Sequence, residues 1–276
     1  MESSPDRHLA EALATAAIAA GRAILDVRRR GYRAEQKADA SPVTEADRAA
    51  EAILIAAIRE AAPGVPIVAE EACAAGEVPE VRGDFFLVDA LDGTREFVRG
   101  GDDFTVNVAL VRDGVPVLGI VHVPVGGETF VGVAGAGAWM IPAGGGVRRP
   151  LHVRAAPELL DVVASKSHRT PETDRYIARY PVRSLVAAGS SLKFCCLAEG
   201  RADLYPRMGP TMQWDTAAGD AVLRAAGGRT LTLDGAPLAY GPGAGEGGEV
   251  YRNPWFVALG NCPLADDSKT GLGKAF

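Results

Sequence analysis

The feature that most constrains the fold is an apolar run that ends abruptly in two carboxylates, within residues 84–112. Residues 85–88 are all apolar, which is typical of a short buried strand, and Asp89, Asp92 and Gly93 follow at its end. Residues 94–98 can begin a short helix, whose first N–H groups favour an anion. Because carboxylates bind hard cations, the stretch predicts a site for a metal beside a phosphate. An ordinary turn with a capped helix explains this stretch equally well.

Other acidic residues also stand where a regular element begins or ends. Asp47 falls in the first turn of a predicted helix that Ser41 or Thr44 caps. Glu70 opens a pair of glutamates after a brief apolar run, and Asp215 opens a helix rich in small residues. Each of these acids alone is explained by a cap, a helix dipole or an exposed loop. Together with the two aspartates above, they favour one cleft that several segments share.

Hydrophobic periodicity predicts an N-terminal α+β half, 1–150, and a C-terminal α/β half, 151–276. Because the candidate acids come from both halves, we expect the active site between them. In the first half, which holds most metal ligands, two helices cover one side of an antiparallel meander. A glycine-rich loop at 143–146 is the candidate border. The predicted helices are 9–30, one ending near 62, 171–180, 190–199 and 215–226. The predicted strands are 65–69, 85–88, 104–111, 115–123, 129–133, 139–141, 151–153, 159–164, 183–187, 202–206 and 229–233.

The composition excludes several classes of protein. The chain is 47% hydrophobic and 23% charged, which is ordinary for a globular protein, and no apolar run is long enough to span a bilayer. A net charge of −6 without basic blocks argues against a nucleic-acid polymer as partner, but not against a small anionic ligand. Four cysteines without C-x-x-C spacing, and an N-terminus unlike a signal peptide, predict a reducing, cytoplasmic setting. Peripheral association with the inner membrane face stays open, and so does the choice between monomer and homodimer.

Three ordered strings resemble the signatures of the inositol monophosphatase superfamily of metal-dependent phosphatases. They are AEE (69–71), DALDGT (89–94) and WDTAAG (214–219). Within that superfamily, residues 37–47, 95–111 and 189–222 are similar to CysQ-type 3′-phosphoadenosine 5′-phosphate phosphatases. Ala90 departs from the usual proline and Ala69 from the usual serine or glycine, but neither change removes a ligand.

The resemblance implies a fold and a set of site residues. The fold is the layered αβαβα sandwich of the inositol monophosphatases and fructose bisphosphatases. The implied ligands of two or three Mg²⁺ ions are Glu70, Asp89, the main-chain carbonyl of Leu91, Asp92 and Asp215. Asp47 and Thr94 would activate the attacking water, with Glu70 holding the metal that binds it. The implied substrate contacts are Gly93 and Thr94 for the scissile phosphate, and His168, Ser190, Lys193, Arg207 and Asp215 for the rest of the nucleotide.

Two arguments from the residues stand beside the resemblance. All candidate ligands are oxygen donors, which suits Mg²⁺ and argues against zinc. A bisphosphorylated nucleotide also needs cations for its second phosphate, remote from the carboxylates, and Lys193 and Arg207 suit that task. The alternative is that both are solvated surface charges.

The function that the resemblance implies is Mg²⁺-dependent hydrolysis of 3′-phosphoadenosine 5′-phosphate to AMP and phosphate. The sulfated nucleotide 3′-phosphoadenosine 5′-phosphosulfate is a second candidate substrate, the setting would be sulfur assimilation or nucleotide recycling, and Li⁺ should inhibit. One alternative stays in the family, namely hydrolysis of inositol phosphates or fructose 1,6-bisphosphate. Another is a non-catalytic regulatory protein that binds a phosphate ligand, against which stands the presence of every implied ligand.

Overall fold

The computed structural model describes residues 5–36, 42–166, 169–244 and 247–265, which form alternating layers of helices and sheets. The helices are α1 (Pro5–Arg30), α2 (Glu45–Ala61), α3 (Glu70–Ala74), α4 (Thr94–Val98), α5 (Pro171–Ile177), α6 (Leu192–Ala198) and α7 (Ala217–Ala225), with 3₁₀ turns at Gln213–Asp215 and Gly247–Tyr251. The strands are β1 (Glu35–Gln36), β2 (Pro42–Val43), β3 (Ile67–Ala69), β4 (Phe85–Asp92), β5 (Thr105–Arg112), β6 (Val115–His122), β7 (Thr129–Val133), β8 (Gly137–Ile141), β9 (Arg149–Leu151), β10 (Leu160–Ser165), β11 (Val182–Ala188), β12 (Leu204–Arg207), β13 (Arg229–Thr232) and β14 (Phe256–Leu259).

The larger sheet has seven strands in chain order, β3 to β9. Only β3 is parallel to its neighbour, and the other pairs are antiparallel. Both faces of this sheet are covered by helices. Successive side chains of a strand point to opposite faces, so neighbouring residues pack against different helices. On β5, Val106 and Val108 pack with α1 and α2, whereas Ala109 and Val111 pack with α6 and α7. The sheet is therefore an inner layer of the molecule.

The smaller sheet has five strands in the order β11-β10-β12-β14-β13. Strand β10 is parallel to β11 and β12, and β14 is antiparallel to both of its neighbours. Helices α6 and α7 lie between the two sheets, and α5 covers the outer face of the smaller one. The order of layers is thus α1 and α2, the larger sheet, α6 and α7, the smaller sheet, and α5. The predicted αβαβα sandwich is confirmed.

Two glycines of the larger sheet let α7 lie directly on the strands. A Cβ atom at Gly119 would come within 2.3 Å of the carbonyl oxygen of Ala218, and one at Gly132 within 2.5 Å of the Cα of Val222. Because α7 begins just after the turn that carries Asp215, this close packing places that carboxylate beside β4.

The structure differs from the predicted elements in both halves, and in the N-terminal half α3, β1 and β2 were not predicted. The predicted helix 215–226 begins as the 3₁₀ turn Gln213–Asp215, because the main-chain N–H of Met212 donates to Asp215 Oδ2 at 2.9 Å and closes that turn. Strand β14 was not predicted, since its four residues are at the lower limit of a strand signal. The chain passes between the sheets after Leu151 and before Leu160, and the division at 150 stays a prediction. None of the helices in the described ranges has both the length and the apolar character that crossing a membrane requires.

Candidate active site

A cavity of about 1070 Å³ brings together side chains from both sheets and from the helices between them. Residues from α3, the end of β4 and the start of α4 form one wall, and residues from the start of α6, from β12 and from the 3₁₀ turn form another. The predicted site residues that line the cavity are Glu70, Asp89, Leu91, Asp92, Gly93, Thr94, Ser190, Lys193, Arg207 and Asp215. His168 lies outside the described residues.

The end of β4 carries an irregularity that aims two carboxylates into this cavity. In the pairing of β4 with β5, Asp89 lies opposite Asn107 and Asp92 lies opposite Thr105. An advance of three residues on β4 therefore matches an advance of two on β5. In a regular strand, residues three apart point to opposite faces, and the extra residue of a bulge corrects that. The main-chain N–H of Leu91 donates to Asp89 Oδ1 at 3.0 Å and holds the bulge closed.

Asp47 lies behind Thr94 and does not line the cavity itself. Its Oδ2 accepts from the N–H of Thr44 at 2.7 Å and from Thr44 Oγ at 2.8 Å, and Thr44 caps α2 by accepting from the N–H of Ala46 at 3.1 Å. Its Oδ1 lies 3.1 Å from Thr94 Oγ, which is equally close to the carbonyl of Leu91. Burial raises the pKa of Asp47 and repulsion from Glu70 adds to this rise, while the hydrogen bonds oppose it. The predicted pair of Asp47 and Thr94 is in hydrogen-bond contact.

Three of the predicted metal ligands form a compact cluster. Glu70, Asp89 and Asp215 each offer a carboxylate oxygen, and these oxygens lie within 4.8 Å of one another. Burial raises the pKa of Asp215 to about 8, and repulsion from Asp92 and then Glu70 adds to it. Since converging oxygen donors that repel one another suit a hard divalent cation, the cluster fits Mg²⁺.

Asp92 lies at the side of this cluster that faces the C-terminal half. It accepts a hydrogen bond from Asn107 Nδ2 at 3.3 Å and one from the main chain of Ser191. Burial raises its pKa to about 6, against the attraction of Lys193. Asp92 is thus the carboxylate that joins the acidic cluster to the cations opposite.

Lys193 and Arg207 are both buried in the wall opposite β4. Lys193 Nζ donates to the carbonyl of Ser190 and lies 5.3 Å from the centre of the Tyr205 ring. Burial lowers the pKa of Lys193 to about 8, and the charge of Asp92 opposes that change. Arg207 Nη2 donates to the carbonyl of Pro210 at 2.5 Å.

The position of these cations excludes the alternative interpretation and corrects one expectation. They are not solvated surface charges, and they are not remote from the carboxylates: Lys193 lowers the pKa of Asp92, and Arg207 lowers that of Asp215. The reason is that the first turn of α6 and the end of β12 face the end of β4 across the same cavity. Two buried polar atoms in this wall, Ser190 Oγ and Arg207 Nε, have no hydrogen-bond partner among the described residues. Ser190 also has a φ of 43°, which is unusual for a residue with a side chain.

Two buried polar residues beside the site were not predicted. Asn107 contacts Asp92, and Glu51 accepts two main-chain hydrogen bonds from α3. A signal for Glu51 was present in the sequence, since it follows Asp47 by one helical turn and shares a face with Ala50 and Leu54, both fully buried. A carboxylate on the apolar face of a helix needs a partner.

Comparisons with known proteins identify the family of this chain. The model of the inositol monophosphatase family matches residues 6–258. The 3′(2′),5′-bisphosphate nucleotidases CysQ of Escherichia coli K12 and of Shigella flexneri are each 44% identical over 220 residues, which is 80% of this chain and 86% of theirs.

Solved structures give the same result. CysQ from Bacteroides thetaiotaomicron is 35% identical with a TM-score of 0.75, and the match covers 92% of this chain and 97% of that one. An inositol monophosphatase from Anabaena is 26% identical with a TM-score of 0.70 and 92% coverage of both chains. The family and the fold expected from the three signature strings are confirmed. This chain belongs to the inositol monophosphatase family.

Proposed function

We propose that this protein is a 3′(2′),5′-bisphosphate nucleotidase that hydrolyses 3′-phosphoadenosine 5′-phosphate to AMP and phosphate. The observation that carries the proposal is the pair of buried cations, Lys193 and Arg207, opposite a compact group of acids in one cavity. A substrate with two phosphates can place one phosphate at the metal ions that the acids would hold, and the other at Lys193 and Arg207. The CysQ proteins that are 44% identical are nucleotidases of this kind.

The acids would hold two or three Mg²⁺ ions. Glu70, Asp89 and Asp215 converge closely enough for this, and Asp92 and the carbonyl of Leu91 border the same cavity. When bound, Mg²⁺ supplies positive charge to the phosphoryl oxygens and lowers the pKa of a coordinated water.

The residues of the chain place the water and the phosphate. Thr94 Oγ donates its hydrogen to Asp47 Oδ1, which leaves the oxygen free to accept a hydrogen bond from the attacking water. The N–H groups of Gly93 and Thr94 at the start of α4 hold the phosphoryl oxygens. Gly93 adopts a φ of 101°, and a Cβ atom there would come within 2.9 Å of the carbonyl of Asp103, so this turn requires glycine.

The rest of the nucleotide would lie against the C-terminal wall. Arg207 Nε and Ser190 Oγ, which have no partner among the described residues, supply hydrogen bonds for the second phosphate or the ribose. Lys193 supplies a positive charge in the same wall. His168 stays a predicted contact outside the described residues.

Phosphate release is the test of this function. The purified protein would be assayed with 3′-phosphoadenosine 5′-phosphate, its 5′-phosphosulfate analogue, inositol 1-phosphate and fructose 1,6-bisphosphate, each with Mg²⁺ and again after chelation. We expect the highest kcat/KM for the bisphosphorylated nucleotide, and no release without a divalent cation. A preference for inositol 1-phosphate or the sugar bisphosphate would reassign the substrate. Binding of the nucleotide without release from any substrate would instead support the non-catalytic alternative.

Several sequence-based predictions accompany this proposal. They are a cytoplasmic location, with or without peripheral contact to the inner membrane face, a monomeric or homodimeric state, a place in sulfur metabolism, and inhibition by Li⁺. The Li⁺ prediction is checked by comparing LiCl with KCl at equal ionic strength, where identical inhibition curves would contradict it.

A further inference from the structure

Helix α2 presents two buried carboxylates, one helical turn apart, to two different parts of the site. Asp47 is hydrogen-bonded to Thr94 at the start of α4. Glu51, only 6% exposed, points instead at the start of α3, the helix that begins with Glu70. Buried carboxylates are costly unless they are paired, so the contacts of Glu51 reveal its task.

Both oxygens of Glu51 accept main-chain hydrogen bonds from the first turn of α3. Oε2 accepts from the N–H of Glu71 at 2.9 Å, and Oε1 from the N–H of Ala72 at 3.1 Å. The residue that precedes the helix is Ala69, whose methyl group cannot accept a hydrogen bond. The capping role that a local serine or aspartate usually performs is therefore performed by a residue of another helix.

A helix as short as α3 depends on such an external cap. It has five residues, too few to be stable by its own hydrogen bonds. Bonds to an ionised carboxylate are stronger than neutral ones, and an anion at a helix N-terminus is further stabilised by the helix dipole. The two bonds to Glu51 fix where α3 begins and in which direction its first residue points, and that residue is Glu70.

We propose that Glu51 is a positioning residue that orients Glu70 as a ligand of the catalytic metal. The inference rests on the metal site of the proposed function. Through its two acids, α2 then sets the distance between the metal side of the cavity, at Glu70, and the water side, at Thr94. Residues that orient metal ligands typically change metal affinity by about 10- to 100-fold when they are substituted.

The experiment compares three variants of the full chain. Glu51→Gln keeps the size of the side chain but directs an NH₂ group at one of the two N–H donors. Glu51→Asp keeps the negative charge but withdraws the carboxylate by one methylene. Glu71→Gln is the matched control, because it removes a charge next to Glu70 without touching the cap.

Two quantities are measured for each variant. Electron paramagnetic resonance gives the affinity for Mn²⁺, and NMR gives the rate of amide exchange at Glu71 and Ala72. We expect both Glu51 variants to bind Mn²⁺ about 10-fold more weakly than the wild type and to lose amide protection in α3. The control should keep that protection. Because Glu51→Asp keeps the negative charge, weaker Mn²⁺ binding by this variant would show that the position of the carboxylate matters, and not its charge alone.

The outcomes distinguish the two proposals. If the wild type binds no Mn²⁺, the metal site itself is refuted. If the wild type binds Mn²⁺ and Glu51→Asp binds it with equal affinity and equal amide protection, the positioning role is refuted, even if Glu51→Gln binds more weakly. Should Glu51→Gln not fold, the comparison of Glu51→Asp with the wild type and Glu71→Gln decides alone.

Discussion

The two walls of the cavity hold their functional groups in different ways. On the N-terminal side, Asp47 accepts hydrogen bonds from Thr44 and Thr94, and Asp89 accepts one from Leu91, so these carboxylates are fixed by the protein itself. On the C-terminal side, Lys193 Nζ and Arg207 Nη2 each donate to a main-chain carbonyl, but Ser190 Oγ and Arg207 Nε have no hydrogen-bond partner among the described residues.

This difference indicates how the work is divided. Groups that are already hydrogen-bonded in fixed positions suit the reacting centre, where a misplaced atom costs rate. Buried donors without a protein partner suit a surface that a ligand completes. We therefore propose that the N-terminal wall, joined by Asp215 from the opposite wall, carries out the chemistry, and that the C-terminal wall provides most of the substrate recognition.

The strongest test of that division is Asp89→Asn. The amide oxygen can still accept from the N–H of Leu91, so the bulge should survive while one charge of the cluster is lost. We expect kcat to fall by about 10³-fold, the scale of losing a main electrostatic stabiliser. Steady-state kinetics on the nucleotide would be compared with Asp113→Asn, which alters an exposed turn of the same half. Turnover near that of the wild type would exclude Asp89 from the reacting centre.

Thr94→Val should have the next largest effect. Valine matches threonine in shape but has no hydroxyl group to bind both the attacking water and Asp47. We therefore expect kcat to fall by about 10²-fold with little change in KM. Thr94→Ser, which retains the hydroxyl group, is the control and should recover most of the rate. A valine variant that changes KM alone would move Thr94 from the chemical step to substrate binding.

Arg207→Ala addresses the other wall. Loss of a charged hydrogen bond to the second phosphate costs about 1.5–3 kcal/mol, so KM for 3′-phosphoadenosine 5′-phosphate should rise by about 10-fold or more. KM for inositol 1-phosphate should change far less, and Arg175→Ala, an exposed arginine of the same half, should change neither. The charge of Arg207 also lowers the pKa of Asp215. An equal rise in KM for both substrates would therefore show that Arg207 supports the metal site and does not bind the second phosphate.

The smallest effect concerns stability without metal. The pKa of Asp215 is raised to about 8, so between about pH 4 and pH 8 this carboxyl group keeps a proton in the folded protein that it loses in the unfolded chain. Lys193, whose pKa is lowered to about 8, acts in the opposite direction and offsets a small part of this effect near pH 8. The free energy of unfolding in chelator should therefore fall, by about 1–2 kcal/mol, from about pH 6.5 to pH 8. The pKa of buried His122 is lowered to about 4, so its contribution is already complete above about pH 6.5.

Denaturant unfolding at several pH values measures this slope. Asp215→Asn, whose amide oxygen can still accept from Met212, should remove most of it. Saturating Mg²⁺ should also reverse it, because a bound cation favours the ionised carboxylate. A slope that the variant leaves intact would assign the titration to another group.

Much of the fold could be predicted from the sequence, because its signals are local. Helical and strand periodicities identify elements one at a time, and the apolar run before Asp89 identifies β4 without any partner. The placement of Asp89, Asp92 and Asp215 at element ends, with the signature strings around them, predicted that these acids converge, and the structure brings Asp89 and Asp215 together with Glu70. The structure places Asp92 at the side of that cluster, next to Lys193.

What could not be predicted depends on packing between distant segments. The position of Lys193 relative to Asp92 follows from how α6 faces the end of β4, and nothing within α6 encodes that distance. The role of Glu51 requires knowing that α3 begins opposite the second turn of α2. The contact of α7 with Gly119 likewise joins residues about a hundred positions apart, beyond the reach of any periodicity.

The strand orders of the two sheets also bear on the time course of folding. Each antiparallel strand of the larger sheet pairs with its neighbour in the chain, whereas β14 pairs with β12, about fifty residues earlier, and joins β13 to the smaller sheet. Local pairings form sooner than distant ones, so Glu70 and Asp89 should be in place before α7 brings Asp215 to them. We therefore expect a cation that needs all three acids to bind only once α7 has docked, late in folding. It should prolong the lifetime of the native state and leave the folding rate almost unchanged.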